Sequence, residues 1–199
     1  MLINELKKRD IVLASSSPRR HQLLKDMGVN FRIDVKPVNE IYNDKLTPEK
    51  IAQSLSDLKI SAFEKSYFKE NTLVITADTI VVLNGKILGK PADRNSAVDM
   101  LQKLSGDKHT VITGVSLKTK FKSASFTSST NVWFKKLSQE EIEFYIDNYS
   151  PYDKAGAYGI QEWIAHAAVE KIEGSYFNVM GLPTHKLYTE LEKFLKQSK

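Results

Sequence analysis

Short apolar, β-prone runs alternate with stretches of helical periodicity along most of this chain, and that alternation restricts its fold more than any other feature. Residues 11–15 are apolar and β-prone, and after Pro18 apolar residues recur at helical spacing until Gly28 offers a helix C-cap. A strand followed by a turn and a helix is the repeating unit of α/β proteins. The opening of the chain therefore predicts an α/β fold.

Four later helices carry start signals in the sequence. Each signal is a side chain that can cap a helix N-terminus, a proline in the first turn, or both. The signals are Thr47 with Pro48, Asp93, Ser138 with Glu141, and Pro183. The last of them opens an amphipathic helix whose apolar face is predicted to carry Leu187, Leu191 and Leu195.

The intervals between the helices are typical of strands. Residues 31–35 predict a second strand, and "TLVITADTIVVLNGKIL" predicts a strand that ends near Ala77, followed by a hairpin that turns at its Asn-Gly pair. Residues 109–135 predict two antiparallel strands, and "AAVEKIEG" predicts one more. Because no repeat or linker interrupts the alternation, we expect one domain over residues 1–199 with a mixed sheet.

The charge balance favours a small phosphorylated ligand. The formal net charge is +5 and the sequence pI is near 9.2, but the lysines are scattered, so a nucleic-acid partner is not expected. The chain has no cysteine, which excludes disulfides and thiolate metal sites. No apolar stretch approaches the roughly 20 residues that cross a bilayer. We therefore expect a soluble cytoplasmic protein with no membrane partner.

The stretch "LASSSPRRHQLL" brings serine hydroxyls, backbone amides and two guanidinium groups to the N-terminus of a helix that follows a strand. Such a position binds phosphate, because helix N–H groups and arginine forks both favour anions. The motif alone fits equally well a structure in which Ser17 only caps the helix and Arg19 and Arg20 are solvated. Both interpretations stay open at this point.

Two further motifs carry groups suited to phosphate chemistry. "ADT" precedes the hairpin and "GKP" follows it, which can place Asp78 at a strand end beside Lys90, as a cation or water ligand next to a phosphate partner. Gln161 has an amide that can pair with a nucleobase edge. Taken singly, Asp78 also fits a turn former and Gln161 an ordinary surface residue. The four histidines lack metal-ligand or triad spacing.

Taken together, these stretches resemble the Maf family of nucleoside triphosphate pyrophosphatases. The similarity rests on "LASSSPRRHQLL", "ADTIVVLNGKILGKP", "AVDMLQKLSG", and "YDKAGAYGIQ" followed by "IEGSYFNVMGLP", and it covers nearly the whole chain in the family's order. It implies a fold similar to the inosine-triphosphate pyrophosphatases: an elongated mixed sheet flanked by helices, with two lobes, a central cleft and usually a homodimer. The implied reaction is hydrolysis of the anhydride between the α and β phosphates, with Mg²⁺ or Mn²⁺ as cofactor.

The resemblance also implies roles for particular residues. They are Asp78 as general base; Arg19, Thr79 and Gln161 as specificity residues; Ser15, Arg20, Lys59 and Lys90 as triphosphate contacts; and Glu40 with Asp78 as metal ligands. The "AYGIQ" form resembles the branch that acts on dTTP and UTP. Glu162 departs from the pattern, since a small residue, often glycine, is expected there.

Other functions compatible with the sequence are a 7-methyl-GTP or broad noncanonical triphosphate pyrophosphatase, and a phosphatase that releases phosphate stepwise. A third is a non-catalytic regulator of cell division that binds nucleotides or nucleic acid. That regulator would bind DNA with strong salt dependence and without turnover. The released product, pyrophosphate or phosphate, distinguishes a pyrophosphatase from the phosphatase.

Overall fold

A computed structural model describes residues 1–196 and confirms the α/β class. In chain order, its helices are α1 (Leu2–Leu6), α2 (Pro18–Asp26), α3 (Pro48–Ser61), α4 (Arg94–Leu104), α5 (Gln139–Tyr149), α6 (Trp163–Ala168), α7 (Tyr176–Met180) and α8 (Thr184–Lys196). Its strands are β1 (Asp10–Leu13), β2 (Arg32–Ile33), β3 (Thr72–Leu83), β4 (Lys86–Leu88), β5 (Lys108–Lys118), β6 (Ser123–Phe134) and β7 (Val169–Glu173).

The strands form a mixed sheet, as predicted. Within the described residues it has seven strands in the order β2-β1-β3-β5-β6-β7, with β4 paired to β3. β1 runs parallel to both β2 and β3, and Leu13 lies opposite Ile75 in the register with β3. β4 is antiparallel to β3, and β7 is antiparallel to β6. Asp78 lies on β3, and Ser15 lies in the turn that follows β1.

The chain divides into two compact units, each with its own apolar core. The first unit contains residues 1–78 and 113–128 and the described residues from Gly181 onward, and the second contains residues 79–112 and 129–180. Part of the first unit's core consists of Val12, Ala14, Ile60, Phe63, Phe68 and Val74. The second unit's core includes Leu101, Leu104, Phe134, Tyr145, Ile146 and Ile160. A single domain with a central cleft stays a prediction.

In the first unit, helix α3 packs directly on strand β5. Gly114 makes this possible, because a Cβ at that position would lie 2.1 Å from the carbonyl oxygen of Ala52. Next to this contact, Ser116 Oγ donates a hydrogen bond of 2.6 Å to Asp57 Oδ1, and the Ser125 hydroxyl donates to the same oxygen. Helix α3 is therefore held against β5 and β6 by a backbone contact and a polar network.

The local start and turn signals are confirmed. Ser138 and Glu141 form a reciprocal capping box at α5, with hydrogen bonds of 3.2 and 2.8 Å. The caps at Thr47 and Asp93 are also made. The hairpin between β3 and β4 turns where the Asn-Gly pair adopts positive φ angles of 50° and 77°. These features depend on a few neighbouring residues, so the sequence predicts them well.

Three expectations about the elements were wrong. Strand β3 does not end near Ala77 but continues to Leu83, so Asp78 lies in the middle of a strand and not at its end. The buried face of α8 uses Phe194 in place of Leu195. The second strand covers only Arg32–Ile33 of the predicted 31–35. Among residues 1–196, no helix is long and apolar enough to span a bilayer.

Candidate active site

The chain leaves β1 through a buried serine whose hydroxyl organises the turn into α2. Ser15 Oγ accepts hydrogen bonds from the backbone N–H of Ser17 at 3.2 Å and from Arg20 Nη1 at 3.3 Å. Ser17 occupies the N-cap position of α2, but its side chain makes no capping hydrogen bond. Simple capping by Ser17, one of the two interpretations left open by the sequence, is therefore not what the structure shows.

Arg20 is fixed by backbone carbonyls of the first unit. Its Nε donates to the carbonyl oxygen of Gly181 at 2.8 Å, and its Nη1 donates to that of Ala77 at 2.8 Å. Burial lowers the pKa of Arg20, whereas the nearby carboxylates of Asp78 and Glu40 act to raise it. Because arginine stays protonated in proteins, a fixed positive charge lies next to Asp78.

Asp78 and Glu40 converge on one ammonium group. Lys59 Nζ forms an ion pair with Asp78 Oδ1, and its distance to Glu40 Oε1 is 3.0 Å. The side chains of Lys59 and Asp78 are 18% and 12% exposed, whereas that of Glu40 is 53% exposed. Asp78 is thus a largely buried carboxylate whose charge is balanced by Lys59 and Arg20. We call Arg20, Glu40, Lys59 and Asp78 the charged cluster.

The charged cluster is assembled from distant parts of the sequence. Lys59 lies in the last turn of α3, the helix that the Asp57 network holds against the sheet. Asp78 extends from β3, and Glu40 from the segment between β2 and α3. The structure therefore brings together four of the predicted site residues, and Ser15 joins them through Arg20.

The carboxylates of the cluster have the chemistry of a metal site that substrate completes. Among residues 1–196, no three histidine or acidic side chains form a ready metal site. Mg²⁺ commonly takes one or two protein carboxylates and obtains further oxygens from substrate phosphates and water. Glu40 and Asp78 are two such carboxylates on the same ammonium group, so the donor set fits a cation that arrives with a triphosphate.

Three of the remaining predicted residues, Thr79, Lys90 and Gln161, belong to the second unit, whereas Arg19 lies in α2 of the first unit. Thr79 is half-buried in β3, and Lys90 is exposed directly after β4. The segment before Lys90 is tied to the loop that precedes Gln161, because the N–H of Gly156 donates to the carbonyl oxygen of Gly89 at 2.9 Å. The expected proximity of Asp78 and Lys90 stays a prediction.

Gln161 is exposed, whereas the next residue, Glu162, is only partly exposed. Gln161 Nε2 donates a long hydrogen bond of 3.4 Å to Glu162 Oε1. The same oxygen lies 3.1 Å from Lys154 Nζ, whose side chain is 8% exposed. The other oxygen, Glu162 Oε2, accepts from the hydroxyl of the buried Tyr145. We call Tyr145, Lys154 and Glu162 the buried triad.

Sequence reasoning did not assign a role to Lys154 or Tyr145. Lys154 lies in the stretch "YDKAGAYGIQ", but an isolated lysine gives no sign in sequence that it is buried. Glu162 was noted only as a departure from the expected small residue. One signal could have connected them, namely a lysine and a glutamate within one short loop. Because burying either charge alone is costly, two such residues are candidates for an ion pair.

The α/β fold, with a buried carboxylate paired to an ammonium group near a guanidinium group, defines a class of protein equipped for chemistry on anionic substrates. Comparison with known families is more specific. The model of the family described as "Maf-like protein" matches residues 10–194, and the chain belongs to that family.

Several curated relatives are similar over nearly their whole length. A dTTP/UTP pyrophosphatase of Porphyromonas gingivalis is 47% identical over 195 residues, which cover 97% of this chain and 98% of the relative. A protein of the same name from Flavobacterium johnsoniae is 50% identical over 191 residues, covering 96% of this chain and 98% of the relative. A solved structure, that of the Staphylococcus aureus Ham1 protein, is 18% identical with a TM-score of 0.43, covering 63% of this chain and 72% of that one.

Proposed function

We propose that this protein is a nucleoside triphosphate pyrophosphatase that hydrolyses dTTP and UTP to the nucleoside monophosphate and pyrophosphate. The observation that carries the proposal is the position of Asp78, a mostly buried carboxylate between Lys59 and Arg20 on a parallel strand. The relatives called dTTP/UTP pyrophosphatase support the choice of substrate, since they share 47% to 50% of their residues with this chain.

In this proposal, Asp78 is the general base of the reaction. It accepts a proton from a water molecule whose oxygen attacks the α-phosphorus, and the bond between that phosphorus and the bridging oxygen breaks as pyrophosphate leaves. Lys59 and Arg20 lie next to this carboxylate and offset the negative charge of the triphosphate when it binds. Fixed charges that need no rearrangement are the main source of acceleration in such chemistry.

The phosphate contacts follow from the turn between β1 and α2. Ser15 and Arg20 lie at this turn, where the first N–H groups of α2 have no partner within the helix. Lys90 supplies a further positive charge, and Arg19 and Thr79 contribute to specificity. Glu40 and Asp78 would hold Mg²⁺ or Mn²⁺, which supplies Lewis-acid polarisation of phosphate oxygens when bound.

Gln161 is the proposed reader of the base. Uracil and thymine present an N3–H donor flanked by carbonyl acceptors, and an amide side chain offers an acceptor and a donor to such an edge. A base with a different pattern would leave polar groups unpaired, at a cost of about 1 to 3 kcal/mol for each group. The proposal also places the protein in the cytoplasm as a homodimer without a nucleic-acid partner, so light scattering should give twice the chain mass of 22.6 kDa.

The decisive experiment is a panel of canonical and modified triphosphates, with pyrophosphate and phosphate assayed separately, with and without a metal chelator. We expect dTTP and UTP to be converted fastest, to pyrophosphate, and only with Mg²⁺ or Mn²⁺ present. Faster turnover of 7-methyl-GTP would assign the other branch of the family, and phosphate release would indicate a phosphatase. Absence of turnover together with salt-dependent DNA binding would support a regulator.

A further inference from the structure

We propose that Glu162 is a positioning residue that holds the amide of Gln161 in one orientation and thereby sets the preference for bases that carry an N3–H donor. This inference rests on the proposed function, because it concerns how that enzyme distinguishes pyrimidine bases. It follows from the buried triad and from the backbone directly before Gln161, all of which lie in the second unit.

The Glu162 carboxylate is anchored by buried groups that cannot move easily. Tyr145 is 0% exposed; its hydroxyl donates to Glu162 Oε2 and accepts the N–H of Gly159 at 2.9 Å. Lys154 Nζ lies 3.1 Å from Glu162 Oε1, and burial of both side chains strengthens their attraction. One carboxylate therefore connects the interior of the second unit with the loop that carries Gln161.

Gly159 leaves the space into which both side chains fold. A Cβ at this position would lie 2.8 Å from Glu162 Cδ and 2.9 Å from Gln161 Nε2. Such distances are shorter than normal contacts, so any larger residue would displace the amide, the carboxylate or both. Glycine at this position is thus explained by the close approach of these two side chains to the backbone.

The chemistry of the carboxylate determines which end of the amide faces it. An ionised carboxylate only accepts hydrogen bonds, so the NH₂ group of Gln161 must point toward Glu162. The carbonyl oxygen Oε1 then points away from Glu162 as an acceptor. Without the carboxylate, the amide could turn over and present its donor in the same place.

A fixed acceptor distinguishes uracil and thymine from cytosine. Uracil and thymine carry a proton on N3 that the Gln161 oxygen can accept, whereas N3 of cytosine is itself an acceptor and would face that oxygen without a proton. A site that hydrogen-bonds a donor rejects an analogue lacking it, because its own polar group is left unpaired. Orientation of the amide by Glu162 would therefore raise kcat/KM for UTP relative to kcat/KM for CTP.

The test is the ratio of kcat/KM for UTP to that for CTP in the full chain, with pyrophosphate as the measured product. Glu162→Gln keeps the size of the side chain and removes its charge, and we expect this ratio to fall by about ten-fold. Glu170→Gln, an exposed glutamate on β7, is the matched control and should leave the ratio unchanged.

A double mutant separates positioning from a direct role. In a Gln161→Ala background, Glu162→Gln should cause no further fall in the ratio, because the residue through which it acts is gone. An unchanged ratio in the single variant, or an equal fall in both backgrounds, would overturn the proposal. A general loss of structure would instead lower kcat/KM for UTP and for CTP together, and circular dichroism would detect it.

Gly159→Ala provides a second route, because its Cβ would press on the Gln161 amide and the Glu162 carboxylate while every charged group of the buried triad stays in the chain. The atoms it would displace are the ends of side chains, so folding should persist while the Gln161 amide is moved. We expect the UTP to CTP ratio to fall in this variant as well, and an unchanged ratio would count against the inference. If the wild-type protein released no pyrophosphate from any triphosphate, the proposed function itself would fail. If the wild-type protein is active but its preference for UTP over CTP does not depend on Glu162, only the present inference would fail.

Discussion

At the scale of single residues, Asp78 shows how neighbouring cations offset the cost of burying a carboxylate. Desolvation disfavours a carboxylate, and ion pairing with Lys59 together with the nearby guanidinium of Arg20 offsets that cost. The same arrangement restricts the carboxylate to one position. Both properties are those required of a base that must act on a water molecule at a defined place.

Asp78→Asn should lower turnover of UTP about 100-fold or more, because the amide keeps the size of the side chain and loses its basicity. The measurement is kcat from initial rates of pyrophosphate release. Asp34→Asn is a suitable control, since Asp34 is a partly exposed carboxylate of the first unit that accepts from the Tyr67 hydroxyl at 2.6 Å. Near-normal turnover in Asp78→Asn would remove Asp78 from the role of base.

His109 predicts a pH dependence of stability. It is buried with Nε2 2.7 Å from the Tyr158 hydroxyl, and burial lowers its pKa from 6.5 to about 4. The unfolded chain therefore binds a proton at pH values where the folded protein does not, so the free energy of unfolding should decrease as the pH falls from about 6.5 to about 4. A difference of this size corresponds to about 3 kcal/mol at the lower end.

Urea unfolding at several pH values tests this prediction. In His109→Gln the free energy of unfolding should decrease less between pH 6.5 and pH 4 than in the wild type, because glutamine does not titrate. His166→Gln, which changes an exposed histidine, should retain the full decrease. Equal pH profiles for His109→Gln and the wild type would show that another group is responsible.

At the scale of elements, the contact of α3 with β5 determines where Lys59 lies. The two elements approach so closely at Gly114 that a Cβ would lie 2.1 Å from the Ala52 oxygen and 2.7 Å from the Gln53 nitrogen. These are backbone atoms of a helix and cannot yield as a flexible side chain does. Any residue larger than glycine must move α3, and the ammonium group of Lys59 moves with it.

Gly114→Ala should therefore destabilise the protein by about 3 kcal/mol and also reduce turnover in the molecules that remain folded. The two effects are measured by urea unfolding and by kcat per folded protein. Gly89→Ala is the matched control, since a Cβ there meets nothing within 4 Å and the backbone φ is not positive. Unaltered stability of Gly114→Ala would mean that α3 shifts without cost.

At the scale of the whole molecule, the two compact units share continuous strands. β3, β5 and β6 each contribute residues to both units, so the backbone of one unit cannot lose these strands without loosening the ends that belong to the other. We therefore expect one cooperative unfolding transition. Tryptophan fluorescence reports on Trp133 and Trp163 in the second unit, whereas far-ultraviolet circular dichroism reports on both units. The unfolding transitions measured by the two signals should have the same midpoint. Separated midpoints would indicate independent domains.

The sequence by itself determined the features that depend on a few adjacent residues. The capping box at Ser138 and the positive-φ hairpin turn after β3 are examples, because each is formed by neighbours whose chemistry is visible in the sequence. The order of the strands and of the longer helices followed from periodicity, whereas the short helices α1, α6 and α7 were not predicted. The family resemblance rested on short motifs in a fixed order. The α/β class and the mixed sheet were predictable for the same reason.

Only the tertiary structure decided how the charged groups are paired. A charged residue within an apolar run indicates a strand end, but β3 passes through Asp78 because Lys59 from a different element supplies the missing countercharge. The burial of Lys154 and Glu162 also depends on their pairing and on the Tyr145 hydroxyl. Sequence patterns describe what each residue prefers alone, whereas the free energy of a buried charge depends on which partner the fold brings within hydrogen-bonding distance.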